Sequence, residues 1–120
     1  MDHNATTPVR PEVLDALLPY YQGRFANPSS VHEKGQDTRV SVEKAREKVA
    51  SLLGAKPKEI VFTGCGTESD NIAIQGIVAA KEGESRHVIT TTIEHPAVLE
   101  TCKYLETKGV EVTYLSLIHI

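Results

Sequence analysis

Two short stretches concentrate the residues able to do chemistry. The first, "IVFTGCGTESDN", is a β-branched run at residues 60–63, then a turn holding Gly64 and Gly66, then the start of a helix with Thr67, Glu68, Ser69 and Asp70. Glycines at these positions permit positive φ and close backbone approach, and the first N–H groups of the helix with its partial positive charge suit a phosphate. Thr67 adds a hydroxyl donor. The same residues also fit a tight strand-to-helix turn in which Thr67 and Asp70 form a capping box, with Asp in place of the usual Glu and no ligand at all. The second stretch, "VITTTIEHPAV", ends a β-branched run at His95, directly before Pro96. In a parallel sheet, ligands gather beyond the carboxyl ends of strands, so His95 and the glycine turn are expected on the same edge. An imidazole there can stack on a flat ring or carry protons, and it equally fits an exposed histidine beside a helix start.

Three other chemistries are weaker. "GCGTES" nearly satisfies the dinucleotide pattern G-x-G-x-x-G/A, with Glu94 as the ribose-binding acid, but Ser69 replaces the third glycine. Glu94 also stands about 30 residues beyond Gly64, where about 20 is usual. His87, His95 and Cys102 have no recognised zinc spacing, and His87 reads as a strand start, so no metal site is expected. Cys65 sits near a helix start, where a thiol pKa falls, but no histidine stands near it in sequence to act as base. Cys102, on an apolar helical stripe, reads as a small buried hydrophobe.

The elements that must position these groups are legible from period and punctuation. "PEVLDALLPYY" is a short helix, with Pro11 in its first turn and Val13, Leu14, Leu17 and Leu18 on one face. "GRFANPSSVHEKG" gathers turn-forming residues into a loop of functional length. From Gln36 to Leu53, Val42, Ala45, Val49, Leu52 and Leu53 recur at helical spacing, and Gly54 stands where a left-handed cap is wanted. The strand "IVFT" at 60–63 leads into a helix capped by Thr67 or Ser69 and running to about Lys81, where "KEGESR" ends it. "HVITTT" at 87–92, without strict alternation, predicts a buried parallel strand. The helix "HPAVLETCKYLETKG" carries Val98, Cys102 and Leu105 on one stripe and closes at Gly109, before the strand "VEVTYL". The order α-α-β-α-β-α-β predicts a mainly parallel sheet with helices on its faces. The closing "SLIHI" has no turn chemistry after the strand and reads as a non-native tail.

Composition narrows the function classes. At 120 residues the chain is one domain at most, and its hydrophobic share of 40% fits a globular piece. Thirteen basic against sixteen acidic residues give a net charge of −3, with no block of like charge. Nucleic acid and anionic membrane are therefore poor partners. Two cysteines outside any CxxC pattern suit a reducing cytoplasm. No signal-peptide pattern opens the chain, and no apolar run approaches the roughly 20 residues that span a bilayer.

Four stretches in register, "DHNATTPV", "NPSSVH", "IVFTGCGTESDN" and "VITTTIEHPAVLETC", resemble the NifS-like cysteine desulfurases of the class V aminotransferase family, which use pyridoxal phosphate. The resemblance runs from residue 2 to about residue 115. It implies a three-layer αβα fold with a mainly parallel sheet, part of the large domain of a fold-type I pyridoxal-phosphate-dependent transferase. Residues 1–115 would be the amino-terminal part, a small-domain segment and then the start of the cofactor domain, with 116–120 a non-native tail. It further implies that Gly66 and Thr67 bind the cofactor phosphate and that His95 stacks on the pyridine ring, with a possible acid–base role. The implied activity converts L-cysteine to L-alanine and passes the sulfur, as a persulfide, to an acceptor or iron–sulfur scaffold protein, in a cytoplasmic homodimer. None of Lys34, Lys44, Lys48, Lys56, Lys58, Lys81, Lys103 and Lys108 matches the family's Schiff-base lysine. The ring-nitrogen acid and the persulfide cysteine also belong later in the family's chain, so the resemblance implies an amino-terminal fragment, inactive by itself. Gly64 departs from the family's usual serine. Alternatives are a selenocysteine lyase or an aminotransferase of the same class, a nucleotide-binding α/β module, and a non-enzymatic structural fragment.

Overall fold

Proline, glycine and asparagine set the boundaries of the elements in the first half of the chain. The computed structural model describes residue 3 and residues 6–81 and 86–119, so the expected helix-ending run at 82–85 and part of "DHNATTPV" lie outside the described residues. Helix α1, Pro11–Gln22, begins with proline at its first position, where the missing N–H has no helical partner to lose. Its end is closed by Gly23 N–H and Arg24 N–H donating to the Pro19 carbonyl at 3.1 and 2.9 Å. The apolar face of Val13, Leu14, Leu17 and Leu18 is exposed. Helix α2, Glu33–Leu53, starts earlier than its apolar period predicted, because His32 caps it: His32 Nδ1 accepts from Gly35 N–H at 3.3 Å. Gly54, at φ 66°, ends α2 in the left-handed conformation, with Gly54 N–H donating to the Ser51 carbonyl and Ala55 N–H to the Ala50 carbonyl.

The packing of α2 differs from its expected stripe. Ala45, Val49, Leu52 and Leu53 are exposed, whereas Ala50 and Gly35 are buried. Helix α2 also packs against the short 3-10 turn Pro57–Glu59, and Arg46 Nη1 donates to the Ile60 carbonyl at 2.5 Å. That bond also bears on the expected strand at 60–63, which is not formed. Ile60 has extended backbone, but its carbonyl serves a guanidinium, and these residues join no ladder among the described residues. β-branched residues favour extension, whereas a strand exists only through pairing.

The sheet is a parallel pair, β1 (His87–Thr91) and β2 (Glu111–Leu115), in the register His87↔Glu111 through Thr91↔Leu115. Helix α3 (Gly66–Ala80) precedes β1, and α4 (Pro96–Glu106) connects the strands. The α/β class and the parallel pairing agree with the sequence reading. The expected burial of β1 on both faces does not hold: Thr90 is buried and Val88 half-buried, whereas Ile89 is 63% exposed. Val78 of α3, Leu105 of α4 and Val110 form the core of this half, with Ile74 and Val88 packed against them. Cys102 is fully buried and Val98 half-buried, as the helical stripe predicted. Gly109, at φ 78°, repeats the device seen at Gly54, with Val110 N–H donating to the Leu105 carbonyl at 3.1 Å. A 3-10 turn at Leu117–His119 follows β2. The chain falls into two compact units, 1–61 and 62–120.

The "NPSS" segment has a packing role. Ser30 N–H donates to the Asn27 carbonyl at 3.0 Å and Ser29 N–H to Asn27 Oδ1 at 2.9 Å, which folds the segment into a turn over the start of α2. A Cβ at Gly35 would stand 2.5 Å from the Ser30 carbonyl oxygen and 2.9 Å from that of Asn27. Gly35→Ala is therefore expected to destabilise the 120-residue chain by about 1–3 kcal/mol, the usual cost of overpacking. Gly23→Ala, where a Cβ meets open space, is the control and should be nearly neutral. Equal denaturation midpoints for the two variants would contradict this account.

Candidate functional site

The site is built at the starts of α3 and α4, both in the 62–120 unit. Cys65 is the N-cap of α3, in place of the expected Thr67 or Ser69, and its side chain makes no cap bond. The turn before the helix is held from the helix itself. Glu68 Oε2 accepts from Gly64 N–H at 2.7 Å, and the hydroxyls of Thr63 and Ser69 meet at 2.7 Å. The Thr67–Asp70 capping box is not formed. Glu68 ties down Gly64 instead, so the N–H groups of Gly66, Thr67 and Glu68 have no acceptor among the described residues.

Neither Gly64 nor Gly66 uses positive φ; Gly54 and Gly109 are the glycines that do among the described residues. A Cβ at Gly64 would lie 3.3 Å from Glu68 Oε2, and one at Gly66 would enter open space. The protein's own packing thus does not require glycine at residue 66. Residue 66 is exposed, at the first position of α3, where the N–H groups are unpaired.

His95 caps α4. Its Nδ1 accepts from Ala97 N–H at 3.1 Å, so in the neutral ring the proton sits on Nε2. Thr67 and His95, about 30 residues apart, line one open cavity of about 390 Å³ together with Asn71, Gln75, Glu100 and Tyr104. Gly66 adjoins Thr67 but is not among the lining residues. The expected juxtaposition of Thr67 with His95 is present. The wall between them includes Asn71 and Gln75, which the sequence reading passed over. Asn71 lay inside a quoted motif, but its partner Thr101 is on another helix and no local pattern announces that pairing.

Other candidates take structural places. Glu94 accepts from Thr91 Oγ1 at 3.0 Å, and His87 Nε2 lies 2.8 Å from Thr113 Oγ1 across the strand pair. No group of three or more potential metal ligands occurs among the described residues. No helix among them is long and apolar enough to cross a membrane. Burial pushes the Cys102 thiol pKa up, and Glu106 adds in the same direction, so Cys102 stays protonated, whereas Cys65 is exposed.

A family model described as Aminotransferase class-V matches residues 1–119. The chain belongs to the class-V aminotransferase family. The cysteine desulfurase of Trichormus azollae is 56% identical over 116 residues, covering 97% of this chain and 29% of the relative. The solved structure of a NifS-like protein superposes with a TM-score of 0.84 at 47% identity, covering 95% of this chain and 31% of that one. A structure named SspA in complex with cysteine gives a TM-score of 0.82 at 45% identity, covering 95% and 33%. The α/β fold is the one these neighbours share. The chain spans about three-tenths of the length of the curated relatives it matches. The nucleotide-binding alternative is not favoured: the relatives are cysteine desulfurases, and no strand leads into the glycine turn.

Two outcomes follow from the site's construction. His95→Ala removes both the ring and the cap and should destabilise the chain by about 1 kcal/mol, whereas His95→Asn keeps a good cap and should cost a few tenths at most. Urea denaturation of the two variants checks this. In the native chain a thiol reagent should modify Cys65 rapidly and Cys102 only on unfolding; rapid modification of both would contradict the burial described.

Proposed function

We propose that the complete protein carrying this sequence is a cysteine desulfurase that uses pyridoxal phosphate to take sulfur from L-cysteine, leaving L-alanine. The observation that carries the reading is that Thr67 and His95 line one cavity, beside unpaired helix N–H groups, in a chain of this family. The residues fit the cofactor chemically. Backbone N–H groups and a hydroxyl suit a phosphate, and an imidazole suits the face of a pyridine ring. Bound there, pyridoxal phosphate supplies an electron sink for negative charge developing beside the substrate's amino group.

This chain's own residues bind, orient and hold a proton. The N–H groups of Gly66 and Thr67 with the Thr67 hydroxyl hold the phosphate. Glu68 keeps the preceding turn in place through Gly64. His95 presents its ring, and while Nδ1 accepts from Ala97 N–H the neutral ring offers Nε2–H as a donor; passing a proton on would require Nδ1 to release Ala97 and take one up. The SspA structure solved with cysteine supports L-cysteine as the substrate. An acceptor or iron–sulfur scaffold protein as sulfur recipient, a homodimer and a cytoplasmic setting belong to the same reading. So does the division into a small-domain segment followed by the start of the cofactor domain.

In the complete protein, Thr67→Val should weaken cofactor retention by roughly 1.5–3 kcal/mol, the range for a hydrogen bond to a charged group. His95→Asn should lower turnover while preserving the helix cap. Cofactor affinity measured by equilibrium dialysis and alanine release from L-cysteine check both. Affinity unchanged in Thr67→Val would reduce Thr67 to a residue of the helix start.

A further inference from the structure

A hydrogen-bonded route joins the two residues assigned to opposite ends of the cofactor. Asn71 Nδ2 donates to the Thr67 carbonyl at 2.9 Å, and Asn71 Oδ1 accepts from Thr101 Oγ1 at 2.8 Å and from Gln75 Nε2 at 2.9 Å. Thr101 Oγ1 also lies 2.7 Å from the Ala97 carbonyl, and Ala97 N–H donates to His95 Nδ1 at 3.1 Å. The path runs from Thr67 on α3 to His95 at the head of α4.

The orientation of Asn71 follows from this chemistry. The Thr67 carbonyl can only accept, so the amide's NH₂ end faces it and Oδ1 faces α4. Thr101 is 3% exposed, and its hydroxyl needs an acceptor at that depth. Its one proton has two acceptors in reach, the Ala97 carbonyl one turn back at 2.7 Å and Asn71 Oδ1 at 2.8 Å, and the second of these is the contact that crosses to α3. Asn71 is a poor residue for a helix interior, so local propensity does not explain it there. The apolar contacts of Ile74, Val78 and Leu105 hold the two helices together without direction. The directional bond between Asn71 and Thr101 fixes the register.

We propose that Asn71 is a positioning residue which, through Thr101, sets the spacing between Thr67 and His95. The inference rests on the cofactor reading above and names the device that lets one rigid molecule meet both residues. Without the bridge each residue stays intact, but a molecule that must engage both loses their joint alignment. An anion that engages the α3 end only does not need it.

The test uses the complete protein carrying this sequence, with Asn71→Leu, Thr101→Val and the double variant. Thr101→Val keeps shape and removes one hydroxyl, so it holds the test open if Asn71→Leu fails to fold. The expected result is pyridoxal-phosphate affinity roughly threefold to tenfold weaker in each single variant, the factor one neutral hydrogen bond is worth. The double variant should be no weaker than the singles, and competition by inorganic phosphate should stay at the parent value. A shifted visible absorption band of the bound cofactor would accompany the loss of ring alignment. Variants that lower only the thermal midpoint of the cofactor-free protein, with cofactor affinity and absorption unchanged, would overturn the proposal. So would a strictly additive double variant. If Thr67→Val and His95→Asn also leave cofactor affinity unchanged, the cofactor reading fails; if those two weaken binding and the Asn71 and Thr101 variants do not, only the positioning role fails.

Discussion

The seam between α3 and α4 is the constraint on which the 62–120 unit depends. Each helix carries one half of the candidate site at its amino end, so the geometry of the site is the geometry of the seam. Its apolar part, Ile74 and Val78 against Leu105, supplies non-directional attraction. Its polar part, Asn71 with Thr101, supplies direction. The Thr101 hydroxyl also reaches the Ala97 carbonyl at 2.7 Å within its own helix, so what the contact with Asn71 adds is direction between the two helices. Among the described residues no buried side-chain polar atom lacks a partner. Helix packing and site construction are therefore one problem solved by the same few side chains.

What the sequence made legible was whatever depends on neighbours in the chain. Pro11 and Pro96 open helices, and Gly54 and Gly109 close them at positive φ, because the residue types themselves limit φ or tolerate its rare values. The stripe of Val98, Cys102 and Leu105 was legible because a helix repeats itself. The reading failed where the outcome depends on a distant partner. Residues 60–63 have the composition of a strand, but the Ile60 carbonyl is claimed by Arg46 from α2. Thr67 looked like a cap, yet Cys65 holds that position, because Glu68 and Ser69 reach back to fasten the turn. Asn71 was invisible for the same reason as the strand error: its meaning lies in Thr101, 30 residues along the chain.

Exposure follows the same logic. Hydrophobic periodicity identifies a face that gains by being covered; it does not identify the cover. The stripes of α1 and α2 and the Ile89 side of β1 are open here, while the small residues Gly35 and Ala50 are enclosed. Gly35 is enclosed because the Asn27–Ser30 turn folds back onto it, a fact about loop geometry that no hydrophobicity pattern carries. Thus "NPSS", which read as part of a turn-rich loop, is accounted for by packing, and the apolar repeats are not.

The electrostatic character of the cavity limits how it can hold an anion. Its lining includes no lysine or arginine among the described residues, and the carboxylate it does include, Glu100, is engaged by Lys103 Nζ at 2.6 Å. Glu68 adds a second carboxylate at the start of α3, directed at the Gly64 N–H. Net charge near the helix start therefore works against a phosphate, and attraction must come from oriented N–H dipoles and the Thr67 hydroxyl acting at short range. Recognition of that kind is decided by distance and angle, falls steeply with misplacement, and is screened less by salt than a field of surface lysines would be. A site that depends on direction in this way has more need of a fixed register between α3 and α4 than one held together by charge.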